Sequence, residues 1–550
     1  MTWQQLAKTQ KVLEREEGTI RKDWGGRLPI ALVFPNSYYL GMSSLAVHTL
    51  YRLWNSRNDV VCERVFAEPS ELSGPSATIP LSLESGAPLD YFPVLAVSLT
   101  YEMDYFNAVA LLRAANIPPR ASDRDGTHPL VVAGGPAVSA NPEPLAPLMD
   151  AIVVGEVEPI FDQLTDALHL IAEGADAALD ALGHVPGLYL PGLPDQQSAF
   201  PVPVIRQWLR DLDSSPTHSV LFTSDTEFAD MGLVEIARGC GRGCRFCLAG
   251  YVYRPPRQRS VQNILGQARE LLRRRKRLGL VSAAVSDHDH IDELATELRA
   301  MGARISVSSM RVDPISEPLI QALAESGAQT LTIAPEAGSE RLRKVINKTQ
   351  SEDDVLRAVD LAAEHGFGQI KLYFMLGLPT EDEIDVEAMI KLAGACAERF
   401  PRQVTVNVTP FVPKAHTPFQ RRAQIPAKVI KRRLSYVEQE LRPHGIGVKS
   451  ESPAWAEIQG TLSRGDRAVA EALLAVDRVT PSAWRQALAD VGLSAQEFLR
   501  PRSRKEPLPW DFIQSGIRAS YLEREARRAG ALRISPPCPP DDCALCGVCK

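Results

Sequence analysis

Apolar residues along this chain gather into short unbroken runs separated by amphipathic stretches. After a polar, helix-like opening over residues 1–27, LPIALVF (28–34) ends at Pro35 with the shape of a strand buried on both faces. Similar runs follow at PVLAVSL (93–99), PLVVAG (129–134) and DAIVVG (150–155), with the helical pattern FNAVALLRAANI between the first two of these. Alternating strand and helix signals predict an α/β fold, a doubly wound, Rossmann-like parallel sheet over about 28–200. The proline-rich passage LYLPGLPDQQSAFPVPVI (188–205) breaks the pattern, and 201–228 reads as a linker. A second series then begins with LVEIAR (233–238) and continues through GLVSAAV (279–285), ARISVSS (303–309), TLTIAP (330–335), IKLYFML (370–376) and QVTVNVTPF (403–411). Helical patterns such as VQNILGQARELLRRRKRL (261–278) and SEDDVLRAVDLAAEHG (351–366) separate them. Six such units predict a full or partial β/α barrel over 229–415, with chemistry at the C-terminal ends of its strands. Charged helices fill 416–534, and the chain closes on the Cys-rich tail SPPCPPDDCALCGVCK (535–550). There is no internal repeat beyond the βα alternation.

A chain of 550 residues has room for two to four domains. A hydrophobic fraction of 45% and a charged fraction of 23% exclude disordered and collagen-like classes. The 61 basic and 67 acidic residues leave a net charge of −6, so no global basic field recruits nucleic acid. Two local basic regions keep an RNA substrate open: Arg269, Arg273, Arg274, Arg275, Lys276 and Arg277 on a predicted helix, and Arg421, Arg422, Lys428, Lys431, Arg432 and Arg433 past the barrel. A solvated outer helix face is the plainer reading of the first. No stretch approaches the ~20 apolar residues of a membrane span, and the opening has no apolar core of a signal peptide, which predicts a cytoplasmic protein without a membrane partner. The nine cysteines cluster at 240, 244 and 247 and at 538, 543, 546 and 549, leaving Cys62 and Cys396 alone. In a reducing compartment such clusters read as metal or iron–sulfur ligands.

The most informative string is GCGRGCRFCLAG, which follows LVEIAR and spaces Cys240, Cys244 and Cys247 as C-x3-C-x2-C with Phe246 before the last cysteine. Three thiolates on a glycine-rich loop hold three irons of a 4Fe-4S cluster and leave the fourth open to a chelating ligand. A zinc knuckle needs a fourth ligand, and none lies nearby in sequence. This loop, at the end of a first barrel strand, resembles that of the radical SAM superfamily. The resemblance implies that S-adenosylmethionine (SAM) chelates the open iron and is reductively cleaved to methionine and a 5′-deoxyadenosyl radical, with a reductant such as flavodoxin or ferredoxin as partner. It also implies SAM contacts for Phe246, for Glu336 in LTIAPEAGSERL, for Ser308 and Arg311 in ISVSSMRVD, and for Gly377 in IKLYFMLGLPTE. Each of the last four also has a structural use: helix capping for Glu336, turn capping for Ser308 and Arg311, and shaping of a βα loop for Gly377.

A doubly wound sheet ahead of such a barrel is similar to the layout of the cobalamin-binding radical SAM class. GGPAVSANPEPLAPLMDAIVVGEVEP (134–159) carries the Gly134-Gly135-Pro136 turn and the Gly155-Glu156 pair of those domains, and Ser98, Thr100 and Tyr101 follow a strand end where hydroxyls reach a nucleotide tail. One departure stands out. The D-x-H-x-x-G motif that supplies a histidine to cobalt is missing, and its place reads PNSYYLGMSSLA, which offers Asn36, Tyr38, Tyr39 and Leu40 instead. A domain kept as scaffold without a corrin is the alternative. Longer strings, among them NSYYLGMSSLAVHTLY, RGCGRGCRFCLAGYVYRPPRQRS and APEAGSERLRKVINK, resemble one uncharacterised bacterial subfamily. The implied activity is cobalamin-dependent methylation of an unactivated carbon. Radical rearrangement, cyclisation or sulfur insertion, and an iron–sulfur or cobalamin sensor without turnover, remain alternatives.

The tail spaces Cys538, Cys543, Cys546 and Cys549 as C-x4-C-x2-C-x2-C and has almost no apolar residues to order it. Four thiolates on a metal supply that order. The spacing resembles a ferredoxin wrap around a second 4Fe-4S cluster; zinc, or thiols with no metal, are the other readings.

Overall fold

The computed structural model describes residues 3–72, 78–197, 201–308, 310–313, 315–539 and 543–549. Residues 198–200 of the expected linker passage, and 540–542 and 550 of the tail, lie outside that description. A short helix, Trp3–Leu13, leads into a six-stranded sheet. Its strands are β1 (Leu28–Phe34), β2 (Val60–Phe66), β3 (Val94–Ser98), β4 (Leu130–Gly134), β5 (Ala151–Val153) and β6 (Leu188–Tyr189). They lie in the order β2-β1-β3-β4-β5-β6, all parallel except β6 on β5. Such a sheet needs cover on both faces. Helices Leu45–Ser56 and Phe161–His169 close one of them. On the other lies Asp104–Ala114, which buries Tyr105, Phe106, Ala108, Val109, Leu111 and Leu112 on nearly all sides and so needs a further layer over it. That layer comes from the far end of the chain: helices Val469–Ala475 and Pro481–Asp490 pack there, with Trp484 edge-on to Phe106 at 5.2 Å.

β6, which opens the proline-rich passage read as a break in the pattern, and β2 are both absent from the sequence reading; in β2, Glu63 and Arg64 interrupt the apolar run. Both are buried and paired: Glu63 accepts from Trp24 and Ser82, and Arg64 sits between Glu16 (2.6 Å) and Glu84 (2.7 Å).

The second series folds as an open barrel of parallel strands: β7 (Met231–Glu235), β8 (Arg277–Val281), β9 (Arg304–Val307), β10 (Thr330–Glu336), β11 (Gln369–Leu376), β12 (Gln403–Pro410) and β13 (Gly447–Ser450). The bridge Met310↔Ile333 joins the β7–β9 group to β10. Six of these strands are the predicted runs. The seventh, GVKS, is too short and polar to announce itself. The segment 201–228 crosses between the two units, and its strand Val204–Ile205 pairs with Ile513–Gln514 near the other end of the chain.

One expectation is corrected here. The arginine run does not wrap a helix, since Val261–Leu272 ends before it and Arg277 already opens β8, where Leu278 and Leu280 are buried in the barrel core. Arg274 and Arg275 instead stack on Phe222 and pair with Glu17. Among the described residues no helix is long and apolar enough to cross a membrane.

Candidate functional site

The cysteine loop leaves β7 through Gly239, whose φ of +82° turns the chain so tightly that a Cβ there would lie 2.4 Å from Tyr253 O. Beyond it the loop is clamped from both sides. Gly243 O accepts from Tyr251 Oη and Asn347 Nδ2, both at 3.2 Å, and Arg245 N–H donates to Ile346 O at 2.9 Å. The fully buried Arg245 side chain donates to Lys344 O and Val345 O and pairs with Glu525 at 3.1 Å. Phe246 packs on an apolar cluster containing Ala337, Leu342, Met375 and Phe411.

Cys240, Cys244 and Cys247 are thereby held within electrostatic reach of one another. Burial, with Cys244 beside it, pushes the Cys247 thiol up to about 12, and burial raises Cys240 as well. Burial of this kind sets both thiols against acting as free nucleophiles. Among the described residues no three Cys, His, Asp or Glu side chains converge at the spacing of a single bound ion.

The residues expected around SAM are spread about this loop. Glu336, in a left-handed conformation at φ +67° at the end of β10, lies within reach of Cys247 and 3.4 Å from Lys348 Nζ. Arg311 N–H donates to Ser286 Oγ, and its guanidinium stands 3.8 Å from Asp287 and within reach of Cys240. Its Nε is buried with no hydrogen-bond partner. Asp287 itself accepts from Arg242 Nε and Nη2, both at 2.8 Å. Ser308 is exposed at the end of β9. Gly377 faces inward: its N–H donates to Glu381 at 2.9 Å, and a Cβ would meet Ile430 at 2.7 Å.

A cavity of ≈ 360 Å³ adjoins the loop. Leu50, Trp54, Leu164 and Leu168, from the helices that cover the sheet, line it with apolar side chains. Ser98, Gly134, Gly135, Gly155 and Glu156 line the strand ends, and Ala237, Arg238 and Gly239 form the barrel side, next to Cys240. Three buried polar atoms in this lining have no hydrogen-bond partner: Thr49 Oγ1, Thr217 Oγ1 and Arg206 Nη1. Burial lowers the Arg206 guanidinium to about 10. Buried polar atoms left in this state are costly unless a ligand or water meets them. Sequence reasoning missed all three, since they come from distant segments and share no spacing.

The expected corrin-binding residues divide. The five at the strand ends line the cavity, whereas Asn36, Tyr38, Tyr39, Leu40, Thr100 and Tyr101 do not. Asn36 donates to Asp104, Tyr38 to Glu16 and Tyr39 to Glu227, while Leu40, Thr100 and Tyr101 are exposed. Gly135 (φ +119°) and Gly155 (φ +106°) permit close approach of this chain's own backbone, with Leu99 O and Gln207 O inside 2.4 Å of any added Cβ. Glu156 is bound by Arg257 (2.7 Å), Arg238 (2.8 Å) and the Leu209 N–H (2.9 Å). On the same helix as Thr49, His48 has both ring nitrogens engaged, by Met42 O and by the Val220 and Leu221 N–H groups. In the second basic region Arg421 donates to Ser503 O and Glu506 O, and Arg433 pairs with the buried Glu381 at 2.5 Å.

Two family descriptions match the chain: "Radical SAM proteins, N-terminal" over 46–191 and "Radical SAM superfamily" over 234–393. An uncharacterised protein of Methanocaldococcus jannaschii is 32% identical over 80% of this chain and 88% of its own length. An uncharacterised methyltransferase of Pyrococcus horikoshii is 28% identical over 48% of this chain and 57% of its own. Among solved structures, the radical S-adenosylmethionine methyltransferase TsrM of Kitasatospora setae, with cobalamin and a [4Fe-4S] cluster bound, is similar at a TM-score of 0.47 and 15% identity, covering 70% of this chain and 75% of that one. The cysteine loop at the mouth of an open βα barrel and the match over that barrel agree: the chain belongs to the radical SAM superfamily and is an enzyme that works with a 4Fe-4S cluster and S-adenosylmethionine.

Proposed function

We propose that this enzyme transfers a methyl group to an unactivated carbon with cobalamin held by its N-terminal sheet. The observation that carries the reading is the cavity. Apolar side chains of the covering helices line it, its glycines and Ser98 sit at the strand ends, and Gly239, next to Cys240, lines it too. Thr49, Thr217 and Arg206 supply two hydroxyls and a guanidinium to the same space, donors that suit the amides and phosphate of a corrin nucleotide. At the barrel side, Arg311 offers the SAM carboxylate a cation whose Nε makes no hydrogen bond, and Glu336 offers an acceptor to its amino group. Cys240, Cys244 and Cys247 hold the cluster. When bound, the cluster supplies the electron that cleaves SAM, and cobalamin supplies the methyl group. The methyltransferase relative in Pyrococcus supports the transfer reaction. The D-x-H-x-x-G histidine is absent and both ring nitrogens of His48 are engaged, so this chain would hold cobalamin without offering it an imidazole from either position.

The test is anaerobic reconstitution with iron, sulfide and hydroxocobalamin, followed by gel filtration, optical spectra and incubation with SAM and dithionite. The expected result is a corrin that co-elutes with the protein and formation of 5′-deoxyadenosine that C240A/C244A/C247A abolishes. A folded protein free of corrin overturns the cobalamin reading in favour of a scaffold, and wild-type protein that binds iron but forms no 5′-deoxyadenosine overturns turnover itself.

A further inference from the structure

We propose that Cys538, Cys543, Cys546 and Cys549 hold a second 4Fe-4S cluster seated directly against the first cysteine loop, with Arg254 as its buried counter-charge.

The tail reaches that position through a chain of backbone and side-chain contacts. Ser535 N–H donates to Asn347 Oδ1 at 2.7 Å, and the Asn347 amide nitrogen donates in turn to Arg242 O and Gly243 O of the loop. Ser535 Oγ donates to Glu525, the partner of Arg245. Three residues on, Cys538 N–H donates to Gly241 O at 2.7 Å, and a Cβ on Gly241 would stand 3.3 Å from Cys538 Cβ. The two cysteine motifs, nearly 300 residues apart in sequence, therefore touch between Cys240 and Cys244. From the other side Arg518 N–H donates to Cys546 O at 2.8 Å, and Cys546 is 2% exposed. Cys543, Cys546 and Cys549 all lie within electrostatic reach of Cys538.

Arg254 gives the second, independent observation. Its side chain is 3% exposed, yet its hydrogen bonds go to neutral groups, Gly250 O at 2.8 Å and Tyr521 Oη at 3.2 Å, and it stacks on the Tyr251 and Tyr521 rings. Among the described residues no carboxylate pairs with it. A buried guanidinium without an anion is strongly disfavoured. The groups of opposite potential charge that face it are the phenols of Tyr521 and Tyr251, which stay neutral near pH 7, and the thiols of Cys546 and Cys538. Arg254 also stands 3.2 Å from the Cβ position of Gly243, and so lies between the two motifs. A cluster held by four thiolates carries the negative charge that this guanidinium lacks, and it gives the apolar-poor tail a reason to be ordered. With all four ligands supplied by protein, this centre has no open iron for SAM.

Iron, sulfide and zinc counts on full-length, anaerobically reconstituted protein test this directly. Wild type is expected to bind about eight irons and eight sulfides and no zinc, two cubane clusters' worth. C538S/C543S/C546S/C549S and C240S/C244S/C247S are each expected to fall to about four of each, with different electron paramagnetic resonance spectra after reduction. The tail variant removes order as well as metal, so the loop variant serves as the second arm: about four irons retained there belong to the tail, and none retained overturns the proposal. Wild type with about four irons and one zinc also overturns it. Failure to bind cobalamin or to transfer a methyl group leaves these counts unchanged.

Discussion

Glu156 joins the two halves of the molecule. It follows β5, and its carboxylate is held by Arg257 on both oxygens, by Arg238 at the end of the first barrel strand and by the Leu209 N–H of the crossing segment. Glu156→Gln keeps the shape and removes the charge. Arg238 retains Glu235 at 2.9 Å and Glu158 at 3.0 Å, whereas Arg257, 7% exposed, has no other carboxylate among the described residues. Breaking a buried pair from one side costs about 3–5 kcal/mol, and one stranded cation rather than two sets this case near 3 kcal/mol. At about 1.4 kcal/mol per decade, amides that exchange by opening of this junction lose roughly a hundredfold of protection. Hydrogen-exchange mass spectrometry on peptides spanning 153–158 and 206–210 reads this. Glu71→Gln, which breaks the exposed pair with Lys8, is the control, expected below 0.5 kcal/mol by the rule for roughly solvent-level pairs. A loss of less than about tenfold at both peptides in E156Q would refute the reasoning. The pH dependence has a fixed sign. Burial raises the Glu156 pKa, but Arg257 and Arg238 outweigh it and hold the group below the usual range. Its contribution is therefore complete above about pH 4.3 and is lost as pH falls through the lower, folded value.

Three further outcomes follow from the same geometry. Arg64→Met strands the buried carboxylates of Glu16 and Glu84 and should destabilise the sheet edge by about 3–5 kcal/mol, read as loss of exchange protection in β1 and β2. Gly155→Ala forces a Cβ to within 2.1 Å of Gln207 O at φ +106°, so it should lower the melting midpoint and detach the 204–209 segment, whereas Gly174→Ala, strained but open, should do less. Burial holds the His48 pKa down to about 4, so its neutral ring stabilises the fold fully above about pH 6.5 and loses that contribution as pH falls toward the folded value; His48→Gln should flatten an acid-unfolding profile between those limits.

Strands buried on both faces were readable because a parallel sheet writes them as unbroken apolar runs, as at LPIALVF and PLVVAG. The same logic hid VVCERVF, where Glu63 and Arg64 are compensated by Trp24, Glu16 and Glu84 from other segments that no local pattern connects. The cysteine loop was legible because three ligands fit within eight residues. The cavity was half legible: glycines at strand ends mark it, but Arg206, Thr49 and Thr217 converge only in three dimensions. Tyr38 and Tyr39 sat at the right place in sequence, yet their hydroxyls turn to Glu16 and Glu227.

The last layer over the N-terminal sheet carries a consequence for how the protein is made. Trp484, Ala487, Leu488 and Phe512 complete a hydrophobic face whose other residues, such as Phe106 and Val109, leave the ribosome more than 300 residues earlier. At about 5–20 residues per second, that face waits on the order of 20–80 seconds for its cover. The nascent chain must pass that interval with an apolar helix exposed, a natural client for a chaperone. Expression of the first 200 residues alone should therefore yield aggregate, however complete their strand pattern looks on paper.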